Sequence, residues 1–121
     1  MVKYFFDTYA LIELVKNSSS YVKILDEVVV TTKFNLVELY FLVLEDFGEE
    51  KAKQIYNKFK DCVVDVPDDA LFRAMAFRLK NKKKNLSYVD CIGYAFSLMN
   101  DLKFLTGDEA FRDLPGVEFI K

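Results

Sequence analysis

Histidine is absent from this sequence, and cysteine, glycine and proline are scarce. The missing histidine excludes Ser-His-Asp and Cys-His nucleophilic catalysis, histidine-ligated zinc sites and any histidine general base. The four glycines form neither a dinucleotide-binding GxGxxG pattern nor a phosphate-binding P-loop. The side chains that remain for chemistry are carboxylates, lysines and hydroxyls.

The two cysteines, Cys62 and Cys91, stand far apart and beside apolar residues, whereas small secreted chains often carry a dense, even set. We therefore predict that both are reduced core residues of a cytoplasmic protein. We expect no transmembrane helix, because no run approaches the roughly 18 uncharged apolar residues that a membrane span needs. We expect no export signal either, because the apolar start of the chain meets Asp7 at once.

The composition is that of a folded globular domain, with 52% hydrophobic and 30% charged residues in a chain of 121. A chain of this length can bury a core without disulfides or a structural metal, and we expect residues 1–121 to form a single domain. The net charge of -2 argues against a protein held to nucleic acid by overall charge. Any contact with nucleic acid must come from local clusters.

Short apolar runs alternate with amphipathic patterns along the chain. Strands are predicted at residues 2–6, 28–32, 62–66, 103–106 and 117–120. Helices are predicted at residues 7–15, 22–25, 35–47, 49–60, 67–79 and 88–100. This alternation predicts an α/β fold, a three-layer α/β/α sandwich with a mostly parallel central sheet.

Four acidic side chains stand where such a sheet gathers its chemistry, beyond the carboxyl ends of parallel strands. Asp7 follows the first strand directly, and Asp108 follows the fourth strand after a single glycine. Glu38 and Asp90 each lie early in a predicted helix and interrupt its apolar face. Because burial of an unpaired charge is costly, these carboxylates need partners.

An acid at a helix N-terminus can also be an ordinary cap favoured by the helix dipole, and Asp7 could simply cap the first helix. We expect Asn35 and Ser87 to cap the helices that carry Glu38 and Asp90. Acids that converge on one rim require protons or a cation in addition to caps, since two carboxylates ~4 Å apart repel by roughly 4 kcal/mol at an effective dielectric near 20. An all-oxygen, histidine-free site favours Mg²⁺ or Mn²⁺ over zinc, and such ions orient water for attack on a phosphodiester.

Four segments, in their order and separation, resemble the PIN domain, whose small single-domain members are the VapC toxins. The segments are Phe5-Phe6-Asp7-Thr8, Asn35-Leu36-Val37-Glu38-Leu39, Leu86-Ser87-Tyr88-Val89-Asp90 and Leu105-Thr106-Gly107-Asp108-Glu109-Ala110-Phe111. The resemblance extends from Phe5 to Ile120, nearly the whole chain. The chain departs from the family pattern in a bulky Tyr88 and in Gly93, where alanine is more usual.

The resemblance implies a Mg²⁺- or Mn²⁺-dependent endoribonuclease that hydrolyses phosphodiester bonds in RNA. It implies that the metal is surrounded by four carboxylates, those of Asp7, Glu38, Asp90 and Asp108, with Thr8 or Thr106 as supporting hydroxyls. It also implies a homodimer, and a cognate VapB-type antitoxin whose C-terminal segment occupies the active site. On this resemblance the chain is the toxin of a toxin-antitoxin pair.

Two surface features leave alternatives open. The basic run Lys82, Lys83 and Lys84 leads into the helix that carries Asp90, and it is either a solvated loop or a contact for RNA phosphates. The helix at residues 36–47 is apolar nearly all round, which indicates either core packing or a dimer or antitoxin surface. The candidate dimer contacts on this helix are Leu39, Leu42 and Val43.

The alternative function is a non-catalytic PIN-like interaction module or scaffold, and the presence of all four acids counts against it. A phospho-acceptor receiver also places acids at strand ends, but it needs an acidic pair at the first strand and a lysine after a late strand. Here Phe6 precedes Asp7, and Lys121 is the last residue. The sequence therefore favours the nuclease.

Overall fold

The computed structural model describes residues 3–121, which contain five strands and five α-helices. The strands are β1 (Tyr4–Phe6), β2 (Thr31–Thr32), β3 (Val63–Val64), β4 (Lys103–Thr106) and β5 (Val117–Phe119). The helices are α1 (Thr8–Val15), α2 (Lys33–Phe47), α3 (Glu49–Phe59), α4 (Asp68–Lys80) and α5 (Tyr88–Met99). Short 3₁₀ segments occur at Ser19–Ile24, Lys60–Cys62, Lys82–Lys84 and Glu109–Phe111.

All strand pairs in the described residues are parallel. Three strands form a sheet in the order β1-β4-β5, and β2 pairs with β3. Two hydrogen bonds join these groups: the Phe6 amide donates to the Val30 carbonyl oxygen at 2.8 Å, and the Thr31 hydroxyl donates to the Phe6 carbonyl oxygen at 2.8 Å. The parallel sheet that the sequence predicts is confirmed.

The sheet separates two hydrophobic cores, because successive side chains of a strand point to opposite faces. Phe6 and Leu105 pack with α1, α2 and α3 on one face. Phe5 and Phe104 pack with α4 and α5 on the other face, where their rings stack at 5.8 Å. Helices therefore cover both faces, and the predicted three-layer α/β/α sandwich is confirmed.

Two predicted strands are shorter in the structure than their β-branched runs suggest. The run at 28–32 pairs only through Thr31–Thr32, and Val28 is 78% exposed. Its partner, predicted at 62–66, pairs only through Val63–Val64. A strand extends only as far as its partner, which a sequence pattern does not reveal. In the first strand, residue 2 lies outside the described residues.

Two predictions about helices were wrong. The predicted helix at 22–25 is a 3₁₀ segment, Ser19–Ile24, which buries Tyr21 and Ile24 at the three-residue spacing of that helix type. The cap of α2 is Thr32, whose hydroxyl accepts from the Asn35 amide at 3.3 Å, so Asn35 lies inside the helix. Gly48 ends α2 as predicted.

The outer face of α2 differs from the predicted contact surface. Leu39 and Val43 belong to the core, so their assignment as candidate dimer contacts was wrong, while Leu42 is 37% exposed. The other exposed apolar side chains of this helix are Phe34, Val37, Phe41, Leu44 and Phe47. Core packing is therefore confirmed for one face of the helix, and a dimer or antitoxin surface on the other face stays a prediction.

Cys91 is buried and Cys62 is partly buried, and both are free thiols. Within residues 3–121, each helix is too short or too polar to span a bilayer.

Candidate active site

The candidate site lies at the carboxyl ends of β1 and β4. Asp7 is the first residue after β1, and Asp108 is the second residue after β4. Phe6 is in register with Leu105, and the Asp7 amide donates to the Leu105 carbonyl oxygen at 3.3 Å. The two strands therefore end at the same level, and both acids reach one rim of the sheet.

Asp7 and Asp108 each cap the helical segment that follows. Asp7 Oδ1 accepts a hydrogen bond from the Ala10 amide at 2.8 Å, and Asp108 Oδ1 accepts one from the Ala110 amide at 3.0 Å. These bonds fix the direction of each carboxylate. A capping role does not exclude a role in a site, because each cap engages one carboxylate oxygen.

Asp90 forms a reciprocal capping box with Ser87, the predicted cap, at the start of α5. The Ser87 amide donates to Asp90 Oδ2, and the Asp90 amide donates to Ser87 Oγ, both at 3.0 Å. Burial is the main cause of the raised pKa of Asp7 and of Asp90, and the charge of Asp90 adds to the rise at Asp7 as that of Asp108 does at Asp90. The three carboxylates therefore lie within electrostatic reach of one another.

Glu38 is tied to the site by a directed series of hydrogen bonds. The Thr8 hydroxyl donates to Glu38 Oε1 at 2.6 Å and accepts from Asn35 Nδ2 at 3.1 Å. The Thr32 hydroxyl donates to Asn35 Oδ1 at 2.6 Å. Asn35 is 2% exposed, so this series is largely shielded from water. It provides the partner that a carboxylate in an apolar helix needs.

Thr106, the second predicted supporting hydroxyl, is fully buried beneath the rim. Its Oγ1 accepts a hydrogen bond from the Asp108 amide at 3.0 Å. Burial raises the pKa of Asp7, and a hydrogen bond from the Thr106 side chain offsets part of that rise. The two threonines thus serve different acids, Thr8 contacting Glu38 while Thr106 supports Asp7 and Asp108.

Burial makes three acids of this site difficult to ionise. Loss of water contact raises the pKa of Asp7 to about 7, and it also raises the pKa of Asp90 and of Glu38. Among residues 3–121, none of the four acids forms an ion pair with a lysine or arginine. Protons or a cation from solution must therefore compensate the negative charge.

A cleft of about 500 Å³ opens at this rim of the sheet. Its lining consists of Asp7, Thr8, Tyr9, Ile12, Leu42, Asp90, Gly107, Asp108, Glu109 and Lys121. Three of the four predicted acids therefore face one cleft, and Glu38 is connected to it through Thr8. Within residues 3–121, no three acidic or thiol side chains stand close enough together to form a complete metal site. The donors are gathered, but not in coordinating positions.

The predicted basic run lies beside the cleft. Lys84 Nζ donates to the Ala110 carbonyl oxygen at 3.2 Å, which attaches the lysine loop to the turn that follows Asp108. Lys82 and Lys83 are exposed on the same loop. One lysine therefore has a structural contact, and two are free to meet a ligand.

Four residues that the structure places at or beside the site were not predicted as site residues. Asn35 orients Thr8, and Tyr9, Glu109 and Lys121 line the cleft. Tyr9 lies against Gly107, where a β-carbon would collide with the ring. A buried asparagine one helical turn before Glu38 was the available signal for Asn35.

The two departures from the family pattern have local explanations. Tyr88 stacks on the Arg78 guanidinium, with 4.3 Å from its Cζ to the ring centre, and Arg78 Nε donates to the Leu86 carbonyl oxygen at 3.0 Å. Gly93 admits Phe5, since a β-carbon at 93 would lie 2.7 Å from Phe5 Cε1. Gly93 thus lets α5 pack closely on the sheet.

Several solved structures have the same fold at low sequence identity. VapC20 of Mycobacterium tuberculosis, described as a sarcin-ricin loop cleaving toxin, has a TM-score of 0.79 at 19% identity, covering 98% of this chain and 100% of that one. VapBC2 of Rickettsia felis, bound to a promoter DNA fragment, has a TM-score of 0.76 at 17% identity, and the match covers 100% of both chains. A toxin-antitoxin complex from Klebsiella pneumoniae has a TM-score of 0.72 at 19% identity, and the match covers 96% of both chains.

No curated protein matches the sequence. The family model of the PIN domain matches residues 4–117, which include both strands and all four acids of the site. This protein belongs to the PIN domain family.

Proposed function

We propose that this protein is a metal-dependent endoribonuclease that hydrolyses phosphodiester bonds in RNA. The observation that carries the proposal is the cleft in which Asp7, Asp90 and Asp108 converge, while no ion pair compensates them in the described residues. A buried acid and two partly buried acids that meet at the carboxyl ends of parallel strands without a paired cation are suited to hold a cation.

The comparisons support a toxin of the VapC type, paired with a VapB-type antitoxin. We propose that the pair acts in the cytoplasm. Two of the similar structures are of toxin-antitoxin systems, and one is of a toxin that cleaves an RNA loop. On this proposal residues 1–121 are one nuclease domain, the antitoxin is its protein partner, and RNA is its substrate.

The donor set fits Mg²⁺ or Mn²⁺, because it consists of oxygen atoms only. Asp7, Asp90 and Asp108 would hold the ion, since each cap attaches its acid to the rim through one carboxylate oxygen and leaves the other oxygen for a ligand. A divalent ion bound there supplies Lewis acidity toward the phosphate and lowers the pKa of water. Thr106 keeps Asp7 and Asp108 in place from beneath.

Glu38 is the proposed proton acceptor for the attacking water. Burial raises its pKa, which brings its basicity closer to that needed near neutral pH. The Thr8 hydroxyl occupies Oε1, so Oε2 is the oxygen left to accept the proton. Asn35 holds Thr8 in the orientation that this arrangement needs.

Lys82 and Lys83 are the proposed contacts that guide RNA toward the acidic cleft. Their loop is attached beside Asp108 through Lys84, and their charges oppose the repulsion between phosphate and the carboxylates.

The test is cleavage of total cellular RNA, which offers single strands and loops of many sequences. We expect discrete products with Mg²⁺ or Mn²⁺, none in EDTA and none from Asp90→Asn. The matched control is Glu49→Gln, because Glu49 lies outside the cleft. There its Oε1 pairs with Lys53 Nζ at 2.7 Å. Cleavage that persists in EDTA would contradict the metal mechanism.

We further propose a homodimer that uses the outer face of α2. Phe34, Val37 and Phe41 are 43%, 55% and 58% exposed and form one stripe. Sedimentation equilibrium at micromolar concentration should show a dimer for the wild type and a monomer for Val37→Ser with Phe41→Ser. Val22→Ser, which removes an apolar side chain that is 60% exposed elsewhere, should remain dimeric. A monomeric wild type would refute this assembly.

A further inference from the structure

Lys121 is held at the rim of the cleft by its backbone neighbour. The Ile120 amide donates to the Thr106 carbonyl oxygen at 2.9 Å, and the Ile120 carbonyl oxygen accepts from the Tyr21 hydroxyl at 2.8 Å. Ile120 is 8% exposed, so both bonds are shielded. The Lys121 side chain therefore starts from a fixed point beside the end of β4.

Glu109 holds the Lys121 ammonium in the structure. Lys121 Nζ lies 2.9 Å from Glu109 Oε1, and Arg112 Nη1 lies 3.2 Å from both Glu109 oxygens. These side chains are more than half exposed, and exposed ion pairs are weak and exchangeable. Two cations share one carboxylate, so Lys121 can exchange Glu109 for another anion and leave Glu109 paired with Arg112.

The cleft is acidic, so a phosphate that enters it needs the positive charge that Lys121 can supply when it leaves Glu109. Among the described residues that line the cleft, Lys121 is the one cation beside four acids, Asp7, Asp90, Asp108 and Glu109. A phosphate that approaches these acids is repelled unless a positive charge meets it.

We propose that Lys121 binds a backbone phosphate of the RNA strand in the cleft, and that Glu109 holds the lysine there until the phosphate replaces it. This inference rests on the proposed nuclease function and adds a substrate-binding residue to it. It differs from the role of Lys82 and Lys83, because Lys121 lies in the wall of the cleft itself.

The test measures RNA binding against salt concentration. The probe is a fluorescein-labelled pool of single-stranded RNA of randomised sequence, followed by anisotropy in Mg²⁺. All proteins carry Asp90→Asn so that the RNA stays intact. Log affinity falls as log salt rises, and loss of one phosphate contact reduces the magnitude of this negative slope by about 0.7 for a single strand.

We expect Lys121→Met to weaken binding and to reduce the magnitude of the slope by about that amount. Lys121→Arg should keep the affinity and the slope of the reference. Lys53→Met is the matched control, since Lys53 is equally exposed and pairs with Glu49 at 2.7 Å outside the acidic cleft. It should bind as the reference does. Glu109→Gln should bind more tightly with an unchanged slope, because the competing carboxylate is gone.

An unchanged slope in Lys121→Met would overturn this inference while wild-type cleavage of RNA still supported the nuclease. Weaker binding by Glu109→Gln would overturn the exchange. A wild type that neither cleaves nor binds RNA would overturn the proposed function and this inference together.

Discussion

The acids of the cleft and the acids of the outer surface are stabilised in opposite ways. Burial raises the pKa of Asp7 and Asp90, which hydroxyls and amides orient but no cation neutralises among residues 3–121. A hydrogen bond from Lys53 lowers the pKa of Glu49, whose side chain is 68% exposed. The fold thus fixes the direction of Asp7 and Asp90 and, among residues 3–121, leaves their charge without a paired cation.

This difference separates a charge that stabilises the fold from a charge that is available to a ligand. The charge of an exposed, paired acid is compensated by its partner, and replacing that acid changes the stability of the fold little. A buried acid that is oriented but unpaired opposes folding at neutral pH, and its retention needs another explanation. Each of the following predictions tests whether the two groups of acids behave as differently as their surroundings suggest.

The largest effect is expected on catalysis. Asp7→Asn should lower kcat/KM for RNA by more than about 100-fold, which exceeds the usual cost of losing a group that only supports a ligand. Asparagine can still cap α1, so the fold should persist. Glu49→Gln, in the exposed group, should retain wild-type kcat/KM. Equal activity of the two variants would remove the distinction between the groups.

The next effect concerns the hydroxyl that orients Glu38. Thr8→Val keeps the shape of the side chain but removes the hydrogen bond to Glu38 Oε1, and should lower kcat/KM by about 10- to 100-fold. Thr8→Ser keeps a hydroxyl and should recover most of the activity. Similar rates for the valine and serine variants would show that the hydroxyl is not needed.

A smaller effect is expected in the pH dependence of stability without metal. The unfolded chain releases the Asp7 proton near pH 3.8, whereas the folded protein retains it up to about pH 7. The free energy of unfolding should therefore fall as pH rises through this interval, by at most about 1.4 kcal/mol per pH unit for one proton.

Urea unfolding in EDTA at a series of pH values measures this slope. Asp7→Asn should lose most of it, since asparagine does not titrate. Glu49→Gln should keep the wild-type slope. A wild type whose stability rises from pH 4 to 7 would contradict the burial of an uncompensated Asp7.

The features that follow from local sequence were predictable. Asp7 and Asp108 reach one rim because the strands before them are parallel and in register, which the alternating pattern already indicated. Ser87 and Asp90 form a capping box because they stand three residues apart at a helix start. The capping box depends on a few neighbouring residues, whereas the shared rim depends on the parallel order of the strands, which the alternation of elements indicates.

The features that depend on distant contacts were not predictable. Asn35 meets Thr8 across 27 positions, and Lys121 reaches the cleft only because β5 pairs with β4. The β-branched run at 28–32 indicated a longer strand than its partner allows. Spacing along one element says nothing about such partners.

The smallest effect is expected for the stability of Asp90→Asn in EDTA, because two contributions oppose each other. Neutralising a buried charge among other acids favours folding, while weakening the capping box disfavours it. The free energy of unfolding should change by less than about 1 kcal/mol, so its sign alone does not separate a cap from a ligand.

Manganese separates these two roles. An ion that binds only the folded wild type stabilises it by RT ln(1 + [L]/Kd), about 2.7 kcal/mol at a hundredfold excess over Kd. Asp90→Asn should gain much less, and Glu49→Gln should gain as much as wild type, all measured by thermal unfolding with and without Mn²⁺. If Asp90→Asn responded to Mn²⁺ as wild type does, Asp90 would be a cap and not a ligand, and the cleft acids would resemble those of the outer surface.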